Sequence, residues 1–309
     1  MIEFAQLSAF VKLGRPHFLL GGFLLFGLGA ALASAGGARI DWSLYAWGQT
    51  TITSAQWMTH YANDYFDLAA DRANMTPTRW SGGSRVLVAG LVTPRVALVA
   101  AVTLGALAWI STGALEFSQN PPIFALPLAA LIICLSWSYS APPLRLLSRG
   151  LGEATTALVV TVLTPLLGYY LQARAVHLVL FLACWPLGLL QFNMLLTIEL
   201  PDAEGDAANG KRTLVVRRGA TWAAYCSMTL LVAIYCSLPI LLLLGLPRWM
   251  VAFAAVPAPL ALWQIIRLAR GEHRESKRWE ALTLSSVALL VSATLAELAG
   301  AVFSIAHKH

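Results

Sequence analysis

Nine apolar runs of near membrane-crossing length follow one another along this chain, joined by short polar connections. A helix needs roughly 20 predominantly apolar residues to cross a hydrocarbon core about 30 Å thick. The runs fall at about 17–35, 44–62, 93–114, 122–140, 151–171, 176–197, 221–244, 249–268 and 280–306. In lipid every backbone polar group must be satisfied within the protein, so a succession of such runs has to become an all-α bundle. The other membrane architecture, a β-barrel, needs strands of alternating polarity about ten residues long, and none can be read here. Composition agrees: only 12% of the residues are charged and 58% are hydrophobic, whereas a soluble domain is about one-quarter charged. The runs leave no room for a separate soluble domain. The chain therefore reads as one polytopic transmembrane domain over 1–309.

Residues 1–16 carry Lys12 and Arg15 late, just before the first long run, and read as an interfacial segment leading into a retained span rather than a cleaved signal. Cys134, Cys184, Cys226 and Cys236 all fall in apolar runs without metal-ligand spacing, and are expected to be small buried hydrophobes. Nine crossings put the termini on opposite sides. With that topology 17 of the 21 Lys and Arg lie on the N-terminal side, and only Arg39, Arg174, Arg248 and Lys308 on the other. Cytoplasmic loops carry the excess of basic residues. The N-terminus is thus expected in the cytoplasm of a cell inner or plasma membrane, with the C-terminus outside. The net charge of +6 follows this topology, so anionic lipid headgroups and a phosphate substrate account for it without nucleic acid.

Acidic residues are distributed more tellingly. Of 15 Asp and Glu, seven lie in two short segments, 63–71 and 199–206, both at the cytoplasmic ends of runs. Acids occur at Asp64, Asp67 and Asp71, and again at Glu199, Asp202 and Asp206, with the same spacing. On a helix that spacing stacks three carboxylates on one face. Like charges near a low-dielectric bilayer repel strongly, so such a stripe is kept where a cation neutralises it. Two facing stripes form a bowl of oxygen ligands suited to Mg²⁺, which commonly takes one or two carboxylates plus substrate phosphates. The expected third party is a diphosphate.

Basic residues follow each motif: Asn209-Gly210-Lys211-Arg212-Thr213 after the second, and Arg79, Arg85 and a glycine pair in 77–85 after the first. Arg and Lys are the usual partners of phosphate oxygens. The segment Tyr139-Ser-Ala-Pro-Pro-Leu-Arg145 ends the fourth run and is placed to bring a hydroxyl and a cation toward the bowl. His17, His60 and His177 read as interfacial polar groups; His60, one turn before the first motif, is also placed to line the site.

Asn63-Asp64-x-x-Asp67-x-x-x-Asp71, with Asp202-x-x-x-Asp206-x-x-x-Gly210-Lys211-Arg212-Thr213, resembles the UbiA-type intramembrane prenyltransferases. Tyr139-Ser-x-Pro-Pro-Leu-Arg145 and Arg15-Pro16 are similar to that family's signatures, and the resemblance covers essentially the whole chain. It implies nine transmembrane helices around a central cavity with a cytoplasmic cap, and Mg²⁺-dependent transfer of a prenyl group from its diphosphate to an aromatic or other lipophilic acceptor. By the same resemblance Asn63, Asp67, Asp202 and Asp206 would hold the metal, with Asp64 and Asp71 supporting. Arg79, Arg145, Lys211, Arg212 and Tyr139 would contact the diphosphate or the acceptor. Residues 81–94 resemble the branch that prenylates 1,4-dihydroxy-2-naphthoate on the route to menaquinone. Arg79-Trp80-Ser81-Gly82 departs from the Arg-Pro-x-x-Ser-Gly element of the hydroxybenzoate branch, and Glu199-Leu-Pro-Asp202 stands where many naphthoate enzymes carry Arg-Asp. Another acceptor, such as 4-hydroxybenzoate, is the alternative.

Such a reaction sets an allylic cation free of diphosphate, which must be kept from water. Tyr65 and Phe66 are the sequence candidates for stabilising it through their ring faces. The acceptor ring then either gives up a proton, for which Asp64 or Asp71 is the candidate base, or loses CO₂. A cation-coupled secondary transporter is the rival from another class. Its binding acids usually sit near the bilayer midplane, whereas these sit at helix ends, and Glu297 is the main ionisable residue inside a run.

Overall fold

The computed structural model describes residues 2–117 and 122–306, with side chains from residue 6 onward, and no strand occurs among the described residues. Lys308, counted above on the far side of the membrane, lies outside them. A short helix α1 (Ile2–Leu13) precedes α2 (Pro16–Ala35), whose proline sits in the first turn, where a missing N–H is harmless. The next helix, α3 (Trp42–Phe66), begins at Asp41, whose carboxylate accepts from Ser43 N at 2.9 Å and Leu44 N at 3.0 Å. Then come α4 (Leu68–Ala73), α5 (Pro94–Ala114) and α6 (Ala125–Ser138). The fifth run starts as α7 (Gly152–Leu158), widens into a π-helical turn over Val159–Leu163 and continues as α8 (Thr164–Ala173). Pro165 has no N–H for the α-ladder, and the wide turn absorbs that defect. The remaining helices are α9 (Leu178–Ile198), α10 (Ala203–Ala208), α11 (Leu214–Arg218), α12 (Ala220–Leu243), α13 (Arg248–Ala254), α14 (Ala258–Ala269) and α15 (Ser276–Ala306). The run 249–268 is broken at Pro257, between α13 and α14.

Seven segments are long and apolar enough to cross a membrane: Pro16–Ala35, Pro94–Phe117, Gly152–Ala173, Leu178–Ile198, Ala220–Leu243, Arg248–Ala269 and Ser276–Ala306. The protein is an integral membrane protein. Two of the nine expected runs differ in kind from these seven. α3 has 25 residues but carries Gln49, Thr51, Thr53, Ser54, Gln56 and Thr59, which lower its hydropathy. α6 has 14 residues, roughly 21 Å of helix at 1.5 Å per residue.

Between membrane helices, close packing and hydrogen bonds do the work that burial does in water. α2 lies on α8 with their backbones in contact. A Cβ on Gly29 would stand 2.8 Å from Tyr169 N, and one on Gly168 would stand 3.2 Å from the Phe26 carbonyl carbon. Gly168→Val is therefore expected to lower the melting temperature of the detergent-solubilised protein; an unchanged melting curve would contradict this contact. Polar links join other pairs. Thr51 Oγ1 lies 2.9 Å from Ser111 Oγ between α3 and α5, Gln56 Nε2 donates to Phe18 O at 2.8 Å, and the Tyr61 hydroxyl donates to Phe10 O at 2.9 Å.

The cysteine expectation holds in part. Cys184 is buried and Cys226 half-buried, but Cys134 and Cys236 are exposed on the outside of the bundle, where a small apolar side chain meets lipid as readily as protein. Glu297 is buried at 2% exposure, and its Oε2 has no hydrogen-bond partner among the described residues. At the ends of α3 and α9 the short helices α4, α10 and α11 come together, α10 packing on both of the others.

Candidate active site

Neither acidic motif forms the continuous helical stripe that its spacing allows. α3 ends at Phe66, Asp67 occupies the break, and α4 starts at Leu68. Likewise α9 ends at Ile198 and α10 starts only at Ala203. Pro201 disfavours helical geometry in the residue before it, which places the second break. Breaking the helix separates like charges, and Asp64, Asp67, Asp202 and Asp206 then find partners, whereas both Glu199 oxygens are buried with no hydrogen-bond partner among the described residues.

Those partners knit the two motifs together. Lys211 Nζ lies 3.0 Å from Asp67 Oδ2 of the first motif and 2.9 Å from Asp206 Oδ1 of the second. Asn63 Nδ2 donates to Asp67 Oδ2 at 2.6 Å and to Ser140 Oγ at 2.9 Å, adding the end of α6 to the cluster. Asp202 turns instead to the 77–85 loop and its approach, accepting from Gly82 N at 3.0 Å and Asn74 Nδ2 at 2.6 Å. Asp64 is ion-paired with Arg15 and accepts from the Ser84 hydroxyl and from Ser84 N, the latter at 3.1 Å. Arg15 adopts φ 46° to make that pair, a left-handed conformation that a non-glycine residue keeps only where its surroundings hold it.

The predicted cations divide into two groups. Lys211 is at the centre. Arg79 and Arg212 are exposed at the rim and are tied through their backbone: Arg79 N donates to Glu280 Oε2 at 3.0 Å and Arg212 N to Ser148 O at 2.9 Å. Arg145 is exposed, with φ 44°. Tyr139 caps α6 and lines a cavity of about 390 Å³ that runs from this cluster into the bundle. The Asp71 carboxylate stands against Gly83, where a Cβ would lie 2.8 Å from Asp71 Cγ.

The sequence matches the UbiA prenyltransferase family over residues 23–296. The chain belongs to the UbiA prenyltransferase family. Several solved structures share its fold at low identity. A digeranylgeranylglyceryl phosphate synthase superposes with a TM-score of 0.64 at 18% identity, over 96% of this chain and 99% of that one. A UbiA homologue from Archaeoglobus fulgidus bound to GPP and Mg²⁺ gives 0.63 at 17% identity, over 96% and 99%. The apo UbiA homologue from Aeropyrum pernix K1 gives 0.60 at 18% identity, over 87% and 97%. Among curated proteins, none matches the sequence.

Membership makes this chain a prenyltransferase, and its donor set bears on the metal such an enzyme would use. Among the described residues no three His, Cys, Asp or Glu side chains close into a ready-made cage. Mg²⁺ seldom requires one, since waters and substrate phosphates complete its octahedron. What the prenyltransferase offers is oxygen only, and too much negative charge for the cations present. Burial, with the charge of Asp64 and others, pushes Asp71 up to about 8. Burial and Asp206 push Asp202 up to about 7. Lys211 is held above its ordinary range because Asp67 and Asp206 outweigh the opposing effect of burial. A hard divalent cation fits such a set.

The cavity corrects one expectation. Tyr65 and Phe66 do not line it; they meet edge to face with centroids 5.0 Å apart, and Phe66 meets Trp137 edge to face at 6.1 Å. The aromatic side chains on the cavity are instead His17, Phe18, His60, Trp80 and Tyr139. Of these, sequence reasoning had a signal for Tyr139, from the segment that ends the fourth run, and for His60, from its place one turn before the motif. His17 and Phe18 lie more than 40 positions from the motif they approach, and Trp80 sat unremarked in the basic loop. His177, by contrast, bonds the Tyr169 hydroxyl at 2.8 Å.

Proposed function

We propose that the protein catalyses Mg²⁺-dependent transfer of a prenyl group from its diphosphate to an aromatic acceptor, 1,4-dihydroxy-2-naphthoate. The observation that carries the reading is the Lys211 ammonium bound between Asp67 and Asp206, joined through Asn63 to an apolar cavity lined by Phe18, Leu24, Ile132 and Met194 among others. A polar, cation-seeking mouth over a hydrocarbon-lined interior matches a substrate with a charged head and an apolar tail. A solved relative of the same fold is bound to GPP and Mg²⁺.

Asn63, Asp67, Asp202 and Asp206 would hold the metal, which neutralises charge on the departing diphosphate. Lys211 binds the same phosphates as a fixed cation, with Arg79, Arg145 and Arg212 reaching them from the rim. The apolar walls exclude water from the allylic cation, and Tyr139 orients the reacting partners from the cavity side. Of the two candidate bases, Asp64 has its oxygens taken by Arg15 and Ser84, so its role is to position Arg15. Where the ring regains aromaticity by losing a proton rather than CO₂, Asp71 accepts that proton.

The charge asymmetry supports nine crossings, the seven apolar segments together with α3 and α6, which put the N-terminus and both motifs at the cytoplasmic face under a cap formed by α4, α10 and α11. For the acceptor, the support is the 81–94 loop. The experiment is to incubate membranes containing the protein with geranyl diphosphate and, in parallel, dihydroxynaphthoate, 4-hydroxybenzoate or a glycerol-phosphate lipid acceptor, and to identify products by mass spectrometry. A prenylated dihydroxynaphthalene, with its carboxylate kept or lost as CO₂, that vanishes on chelation with EDTA and returns with Mg²⁺ is the expected result. Product from the other acceptors alone would overturn the naphthoate assignment.

A further inference from the structure

The cavity has two unlike walls. One is aliphatic, built from Leu24, Ile132, Val159, Met194 and Val287. The other is a continuous slab of rings next to the first motif. His17 and Phe18 have ring centroids 4.5 Å apart, His17 and Trp80 5.6 Å, Phe18 and His60 5.8 Å, and Phe18 and Trp80 5.9 Å. All four side chains line the cavity. These separations are those of ordinary aromatic pairs, so the slab can receive one more flat ring by the same offset or edge contacts.

The slab and two other cavity-lining residues, Arg15 and Gln56, hold polar atoms with nothing to bond. His60 Nε2, Trp80 Nε1, Arg15 Nε and Gln56 Oε1 are buried on cavity-lining side chains and have no hydrogen-bond partner among the described residues. Leaving such groups dry is costly. A prenyl chain offers them nothing, because it has neither donor nor acceptor. A ring edge bearing hydroxyl or carboxylate oxygens offers such groups the partners they lack, once small side-chain shifts bring these enclosed atoms to the cavity surface.

We infer that the ring slab of His17, Phe18, His60 and Trp80 is the acceptor subsite, taking a planar, hydroxylated or carboxylated arene with the prenyl chain against the aliphatic wall. The inference rests on the aromatic-acceptor reading above and adds where that acceptor sits. It also ties acceptor binding to the second motif. Trp80 rides on the loop whose Gly82 N donates to Asp202 at 3.0 Å and whose Arg79 N donates to Glu280 at 3.0 Å.

Steady-state kinetics of Trp80→Leu and Phe18→Leu, with dihydroxynaphthoate and geranyl diphosphate varied separately, test the subsite. The expected result is a rise in acceptor KM of roughly tenfold, about the worth of one aromatic contact, with the KM for geranyl diphosphate unchanged and partial recovery in Trp80→Phe. Acceptor KM unchanged in both leucine variants, or a fall in kcat alone, overturns the subsite, the latter because the rings would then serve the reacting prenyl group. The acceptor alone is also expected to raise the melting temperature of the wild-type protein and not of the Trp80 variant. An equal rise in both overturns the inference even if the kinetics are compromised by misfolding. Failure of the wild-type protein to prenylate any aromatic acceptor would strike instead at the functional reading.

Discussion

Asp67→Ala is expected to lower prenyl transfer roughly 10²–10³-fold, the usual cost of deleting one preorganised electrostatic contact at a reacting centre, while leaving the protein folded. Asp67 is where three interactions converge: Lys211 at 3.0 Å, Asn63 at 2.6 Å and, through Lys211, Asp206 of the other motif. On the proposed reading its loss would take a carboxylate from the metal's side of the diphosphate, and it frees Lys211 to settle on Asp206 alone. Asp206→Ala acts on the same unit from the opposite motif, and groups that act as a unit are strongly non-additive. The double variant is therefore expected to be little worse than either single one. Transfer of label from geranyl diphosphate, measured in membranes across a range of Mg²⁺ concentrations, is the check. Full activity in Asp67→Ala, or losses that simply multiply in the double variant, would sink the shared-clamp arrangement.

The clamp explains why the two motifs need the same spacing without forming matching stripes. Each begins on the last turn of a long helix and finishes on a short one, so every carboxylate is aimed by a different piece of backbone. Asp67 and Asp206 meet on Lys211. Asp64 holds Arg15, and Asp202 holds the loop that carries Trp80. On the proposed reading, metal, diphosphate and acceptor would be made neighbours by one set of acids.

Much of this was legible in the sequence because its signals are local. Hydropathy over about twenty residues located the long helices within a few residues of their ends. Where that signal fails is instructive: α3 is long, yet its Gln, Thr and Ser face neighbouring helices and the cavity rather than lipid, so its burial in the bundle substitutes for apolar character. The pairing of the motifs was readable from repeated spacing, and Lys211 from its place just past the second. The break of each helix inside its motif was not, because acids at helical spacing look alike whether the turn continues or stops. Long-range partners were equally silent. Nothing around Arg15 says that it meets Asp64, 49 positions away. Nothing around Asn74 points to Asp202, and the ring slab joins side chains from three separate segments. Tyr65 and Phe66 were plausible only by proximity in sequence, and residues next to one another on a helix point in different directions.

The glycine pair after the first motif carries the second large effect. Gly82 and Gly83 both have φ 72°, a left-handed conformation that disfavours any side chain. At Gly83 space is also lacking, since a Cβ would come 2.8 Å from Asp71 Cγ. Gly90 has nearly the same backbone, φ 69°, with nothing within 4 Å of such a Cβ. Alanine at either position meets a similar conformational cost, about 1 kcal/mol or somewhat more, so the two variants should differ little in stability. They should differ greatly in activity. Gly83→Ala must push the loop off Asp71, which loosens the Gly82 bond to Asp202 and the Ser84 bonds to Asp64 and carries Trp80 with it. Displacing reacting groups by about 1 Å costs about 10²-fold in rate, and a loss of that order is expected in Gly83→Ala against near wild-type transfer in Gly90→Ala. Melting curves together with transfer rates for the two variants separate these effects. Equal activity in both would mean that the loop is a mere connection, and that the acids of the two motifs do not need it to hold their substrates in register.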